Sequence, residues 1–306
     1  MKRIAFVFPG QGSQAVGMGR DLGDASPRWD AARAALGFDL KTLVFEGPEA
    51  DLTLTANTQP AILATSIVAL DALTAAGIRC EFVAGHSLGE YSALVAAGAI
   101  DFADALRTVR ARGQYMQEAV PAGEGAMAAV LGLDRALVAQ ACEEAKDVGP
   151  VQLANLNGPG QTVIAGATAA VKKAADLAKA KGAKRAVLLP VSAPFHSALL
   201  RPAAERLATV LEGIRFRDLG VPLVTNVDAE LLTEGARVAE TLIRQVTAPV
   251  RWEDGVLRLA KEGVTAAVEV GPGKVLSGLI RRIAPEIQTL NVEDRASLQA
   301  TLEALR

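Results

Sequence analysis

Short apolar runs alternate along this chain with longer stretches in which apolar positions recur every three or four residues. Ile4–Phe8, residues 82–84 and Ala266–Val270 belong to the first kind. Apolar runs of this length, interrupted only by Glu269, predict strands buried on both faces, as in a parallel sheet. Residues 57–76 belong to the second kind: Ile62, Ile67, Leu70 and Leu73 share one helical face, and Gly77 ends the pattern. Helices are also predicted over Arg28–Leu36 and residues 91–100, 101–118 (with Asp101 as cap), 199–212, 236–245 and 275–282. A further strand is predicted at residues 222–226, and Ala266–Val270 is read as the last.

Between these halves the pattern changes. Strand-like residues 126–131 lead to a helix at 135–146 and then a hairpin, 151–156 with 161–165, around Asn157-Gly158-Pro159-Gly160. A helix at 169–181, ended by Gly182, and a strand at 185–189 follow. The order β-α-β-β-α-β is that of the ferredoxin-like motif. Residues 124–192 are therefore expected to form a small ferredoxin-like domain, inserted into a larger α/β unit made of residues 1–123 and 193–306. No internal repeat or low-complexity linker is visible.

Composition narrows the reading. Of 306 residues, 50% are hydrophobic but only 4% aromatic, so the core must be aliphatic. Lys and Arg number 32 against 34 Asp and Glu, with no basic stripe, which argues against nucleic acid as a partner. Two cysteines, Cys80 and Cys142, make neither a metal spacing nor a disulfide framework; small buried apolar residues in a reducing cytoplasm are expected. Pro9 cuts the N-terminal apolar run far short of a signal sequence, and no apolar stretch is read as approaching the roughly 20 residues of a membrane helix. No metal site or membrane contact is expected, and the chain is expected to act as a cytoplasmic monomer.

The chemistry concentrates in Gly85-His86-Ser87-Leu88-Gly89-Glu90, between the strand at 82–84 and the helix at 91–100. A Gly-x-Ser-x-Gly turn from strand to helix is the nucleophile-elbow pattern, which lifts a serine hydroxyl above the sheet edge. Gly10-x-Gly12-x-x-Ala15 formally matches a dinucleotide fingerprint. Its acid at the required spacing, Asp30, falls in a helix rather than at a strand end, so that reading fails. A serine needs a base, and the histidines are His86 and His196. Side chains of neighbouring residues on a tight turn diverge, which favours His196, on a loop far along the chain. No convincing acid completes a triad. Asp134, Glu143, Glu144, Asp147 and Asp176 lie in the insert, and Asp228 follows His196. A histidine oriented by a carbonyl suffices for an activated thioester, which tilts the reading towards acyl transfer. A serine esterase or thioesterase, and a catalytically silent acyl-binding subunit, remain open. Leu88 N–H is one expected oxyanion donor, and the Gly10-Gln11-Gly12 loop is a candidate for the second.

Five motifs occur in order: Phe8-Pro9-Gly10-Gln11-Gly12-Ser13-Gln14, Gly85-His86-Ser87-Leu88-Gly89-Glu90-Tyr91, Asn157-Gly158-Pro159-Gly160-Gln161, Pro194-Phe195-His196 and Glu269-Val270-Gly271-Pro272-Gly273-Lys274. Together they resemble the malonyl-CoA:acyl carrier protein transacylases of bacterial fatty-acid synthesis, over about residues 3 to 283. The resemblance implies an α/β-hydrolase-like core with a ferredoxin-like insert. It implies Ser87 as nucleophile, His196 as base, the Gln245 carbonyl as its orienting group, and Gln11 and Leu88 as oxyanion donors. Of Arg107, Arg110 and Arg112 on one helix, it selects Arg112 as partner of the malonyl carboxylate, leaving the other two as a solvated face. His86 and Phe195 would line the substrate pocket, with Phe195 crowding any α-methyl group. It further implies a coenzyme A thioester as substrate, no permanently bound cofactor, and acyl carrier protein as partner.

Overall fold

The computed structural model describes residues 2–191 and 193–305. Ser192, where the insert was expected to end, and the terminal residues of the larger unit lie outside the described residues. Strands β1 (Ile4–Phe8), β2 (Phe82–Gly85), β3 (Gly125–Leu131), β4 (Val151–Gly158), β5 (Gln161–Ala167), β6 (Arg185–Leu188), β7 (Leu223–Val224), β8 (Leu231–Leu232), β9 (Ala266–Val270) and β10 (Gln288–Val292) form two sheets. The larger has the order β10-β9-β1-β2-β7-β8, parallel except for β8.

Its central strands are apolar throughout because helices cover both faces. Successive side chains alternate, so Phe6 and Phe8 enter one core together with Val83 and Val268, while Ala5 and Val7 enter the other with Phe82, Ala84 and Ala267. The first core is closed by helix Thr55–Ala75. That helix corrects one expectation. At 21 residues it is long and apolar enough by composition to cross a membrane, yet most of it is buried within the protein. The exception among the apolar positions of β9 is Glu269, fully buried, whose carboxyl accepts the N–H groups of Leu276 (3.0 Å) and Ser277 (2.8 Å). It satisfies the free donors at the start of helix Val275–Ile283, where a negative group is favoured.

The second sheet is antiparallel, in the order β4-β5-β3-β6. Helices Arg135–Glu144 and Thr168–Ala180 cover one face through an Ala- and Val-rich core. The other face, with Met127, Ala154, Val163 and Ala165, packs against Leu189, Val191 and Phe195. Val250 ties this sheet to the larger unit: its N–H donates to Ala154 O (2.9 Å) and its carbonyl accepts from Leu156 N–H (2.8 Å).

Several boundaries differ from the sequence reading. Ala266–Val270 is not the last strand: β10 pairs with it in parallel, and helix Arg295–Leu305 follows. β10 lies at the sheet edge and is largely half-exposed, so its residues lack the continuous apolar run that marks a central strand. Helices Leu40–Glu46, Glu49–Thr53 and Trp252–Lys261 were not anticipated. Asp101 stands at the N-cap of Phe102–Glu118, but its side chain makes no cap bond and instead accepts from Arg217 (2.8 Å).

Candidate active site

Ser87 sits on the turn between β2 and helix Gly89–Ala96 with φ 51°, a left-handed angle costly for a residue with a side chain. The flanking glycines are dictated by contact. A Cβ on Gly85 would lie 2.0 Å from the Gly89 carbonyl carbon, and one on Gly89 would lie 2.1 Å from Phe8 O. β1 runs beside β2, with Phe8 level with Gly85, so the loop after β1 emerges next to the elbow. This is the carboxyl edge of the parallel strands, where open α/β sheets bind ligands.

The Ser87 hydroxyl lies 2.8 Å from His196 Nε2. His196 Nδ1 lies 2.8 Å from the carbonyl oxygen of Gln245, which can only accept. Nδ1 therefore carries the proton, and Nε2 is free to accept from Ser87. His196 is buried and also left-handed, at φ 58°. Burial, helped by the Arg112 charge, pushes its pKa down to about 3, so the ring is neutral at pH 7. His86 turns away from Ser87. Its Nε2 meets Asn157 Oδ1 at 2.8 Å, and its ring packs 5.8 Å from that of Trp252.

Gln11 and Leu88 both line a cavity of about 140 Å³ that opens over Ser87, together with Arg112, Met116, Met127 and Phe195. Among the described residues, neither the Gln11 nor the Leu88 backbone N–H donates to a protein acceptor. Arg112 reaches this cavity from helix Phe102–Glu118 and is only 2% exposed. Its Nη2 donates to Ser87 Oγ (3.1 Å) and to Gln245 Oε1 (2.9 Å), and its Nη1 donates to Gln59 Oε1 (2.9 Å). Burial lowers its pKa from the usual arginine value.

The other two arginines of that helix differ from one another. Arg107 is exposed and pairs with Asp104 (2.6 Å). Arg110 does not merely face solvent, contrary to the sequence reading. Its guanidinium lies 4.5 Å over the Phe38 ring and donates to Ala56 O (3.2 Å) and to Asn57 Oδ1, tying the helix to the start of Thr55–Ala75.

Sequence reasoning missed a polar bed beneath Ser87. Asn226 Oδ1 accepts from Ser87 N–H (2.7 Å), and Asn226 Nδ2 donates to Gly85 O (2.6 Å). The Gln245 side chain donates to Ser87 O (2.9 Å) and to the buried Glu90 Oε2 (2.5 Å). Glu90 stood inside a quoted motif, and Asn226 at the end of a predicted strand. Nothing local marks Gln59.

The carboxylates considered as third member are engaged elsewhere. Asp134 caps its helix at Ala136 N–H (2.8 Å), and Glu143, Glu144, Asp147 and Asp176 pair with lysines. Asp228 pairs with Arg244. Asp228→Asn should accordingly leave kcat within about tenfold, a span of ~1.4 kcal/mol in barrier. A loss near the ~10⁴-fold of a triad aspartate would overturn an orienting role for the Gln245 carbonyl.

A half-buried serine hydrogen-bonded to a buried histidine on a strand–helix elbow is an arrangement suited to acyl transfer or ester hydrolysis, and the family described as "Acyl transferase domain" matches residues 5–297. The malonyl CoA-acyl carrier protein transacylase of Bacillus subtilis is 50% identical, across 100% of this chain and 98% of that protein. The solved acyl-carrier-protein S-malonyltransferase of Burkholderia pseudomallei superposes with TM-score 0.96 at 48% identity, covering 98% and 99% of the two chains. A malonyl-transacylase solved in complex with a type II polyketide acyl carrier protein also gives 0.96, at 47% identity and 99% coverage of both. The chain belongs to the malonyl CoA-acyl carrier protein transacylase family.

Proposed function

We propose that this enzyme moves the malonyl group from malonyl-CoA to the phosphopantetheine thiol of acyl carrier protein through an ester on Ser87, supplying extender units for fatty-acid synthesis. The observation that carries the reading is the place of Arg112: a buried guanidinium nitrogen 3.1 Å from the Ser87 hydroxyl. Malonyl carries its carboxylate one carbon from the thioester carbonyl. A clamp for that group must stand close to the nucleophile, and a planar arginine fork grips a carboxylate bidentately.

In the first half-reaction Ser87 gives its proton to His196 Nε2 and attacks the thioester carbonyl. The imidazolium is steadied by the Gln245 carbonyl at Nδ1. The oxyanion takes the N–H groups of Leu88 and Gln11, which have no protein acceptor among the described residues. Collapse expels coenzyme A, protonated by His196. In the second half-reaction the phosphopantetheine thiol loses its proton to His196 and attacks the ester, and Ser87 leaves with that proton. No resident cofactor enters either step.

The same reading divides the chain into an α/β-hydrolase-like core, residues 1–123 and 193–306, and a ferredoxin-like insert, residues 124–192. The β-α-β-β-α-β order and the antiparallel sheet β4-β5-β3-β6 support the insert. Its inner face supplies Met127, Asn155 and Leu189 to the cavity, a roof that helps keep water off the ester.

The test is a mass spectrum of protein incubated with malonyl-CoA alone. A malonyl adduct on Ser87, absent from Ser87→Ala, is expected. An unmodified Ser87 under conditions in which malonyl transfer proceeds would overturn the covalent route.

A further inference from the structure

The mechanism leaves a buried carboxyl beside the site unused. Glu90 lies on the first turn of helix Gly89–Ala96 and is wholly buried. Its Oε2 accepts from Gln245 Nε2 at 2.5 Å, and Gln245 Oε1 accepts from Arg112 Nη2 at 2.9 Å. The amide thus bridges a buried carboxyl and a buried guanidinium, its negative end on the cation and its N–H on the acid. A charge on Glu90 would be felt at Arg112 across a single side chain in a medium that screens poorly.

We propose that Glu90 is a positioning residue that sets substrate choice: protonated, it leaves Arg112 free for the substrate carboxylate, and ionised, it competes for the same guanidinium through Gln245. This rests on the reading of Arg112 as the carboxylate's partner.

The surroundings of Glu90 favour the protonated form at neutral pH. Burial pushes its pKa up to about 8, and the like charge of Asp228 adds to the rise. The bonds from Gln245 and Asn226 and the charge of Arg112 pull the other way without cancelling it. Of the remaining groups near this bed, Tyr91 and His196 are neutral at that pH, and Asp228 is charged but has its own cationic partner, Arg244. Burial pushes the Tyr91 hydroxyl up to about 12 and keeps His196 neutral. Below pH 8, therefore, the substrate carboxylate meets one uncompensated cation. Above it, that cation already has a resident anion, and binding a second anion requires Glu90 to take a proton from solvent. Acetyl-CoA has no carboxylate and makes no such demand.

The experiment follows the ratio of kcat/KM for malonyl-CoA to that for acetyl-CoA against pH. Taking the ratio cancels the titration of His196 and of the coenzyme A phosphates, which both substrates share. The wild-type ratio should fall about tenfold between pH 7 and pH 9, the change expected of one linked proton. In Glu90→Gln, which keeps an acceptor for Gln245 but cannot ionise, the ratio should stay level. A level wild-type ratio, or an equal fall in Glu90→Gln, overturns the proposal.

Calorimetry gives a second test that leaves Glu90 in place. Malonyl-CoA is titrated into Ser87→Ala protein at pH 8.5 in buffers of different ionisation heat. Uptake of more than about half a proton per malonyl-CoA is expected, and none for acetyl-CoA. Equal uptake for the two thioesters overturns the proposal, whereas a purely structural Glu90 would give none for either. Arg112→Ala separates the two failures. If it lowers both thioesters alike, the carboxylate reading falls and takes this one with it. If it lowers malonyl alone while the wild-type ratio is level with pH, only the role of Glu90 falls.

Discussion

His196→Ala is expected to slow acylation of Ser87 by about 10²–10⁴-fold, the usual contribution of a positioned general base. His196 Nε2 stands at hydrogen-bond distance from the Ser87 hydroxyl, and its other nitrogen is held by a carbonyl that fixes the tautomer. Without the ring, the hydroxyl keeps only the Arg112 guanidinium, a donor that cannot take a proton. His86 makes a sharp control because it adjoins Ser87 in sequence while its ring nitrogen is bound to Asn157. His86→Ala should leave most of the acylation rate and act mainly on stability, since it removes a half-buried ring bonded to Asn157 between the elbow and β4. Single-turnover acylation of both variants by malonyl-CoA is the measurement. Equal losses would mean that the base has been misassigned.

Arg112→Ala is expected to cost malonyl transfer far more than acetyl transfer. Leaving a desolvated charge without its partner costs roughly 3–5 kcal/mol, which is about 10²–10³·⁵ in kcat/KM for malonyl-CoA. Acetyl-CoA has no carboxylate to strand. It should lose only what the unpaired amides of Gln59 and Gln245 cost the site, so the ratio of the two substrates is the diagnostic quantity. Arg107→Ala is the proper control, as its exposed pair with Asp104 is of a kind worth little. Arg110→Ala is not a control, because Arg110 holds its helix to the start of Thr55–Ala75. If Arg112→Ala lowers both thioesters by one factor, the residue supports the elbow and the clamp lies elsewhere.

Much of this protein can be read locally because its determinants are local. The buried parallel strands declare themselves by short apolar runs, Thr55–Ala75 by a long, mostly apolar stretch ended by Gly77, and the elbow by two glycines standing where any Cβ would meet backbone. Among the elements that escaped reading, some owe their stability to position. β10 is an edge strand held by β9 on one side, and Asp101 takes Arg217 rather than its own helix end. Membrane-like composition in Thr55–Ala75 is likewise resolved only by what surrounds it.

The divide is clearest around Ser87. That a serine should be lifted at the turn of residues 85–89 is legible in the Gly-x-Ser-x-Gly pattern, although only the Gly85 contact is local and Gly89 is held small by Phe8 of the neighbouring strand. Which groups then meet that serine depends on contacts across 109 residues to His196, 139 to Asn226 and 158 to Gln245, which no local period encodes. The low basicity of His196 and the raised pKa of Glu90 are products of burial. A sequence names the ionisable groups, but only the closed tertiary structure removes the water that would otherwise hold them near their ordinary values.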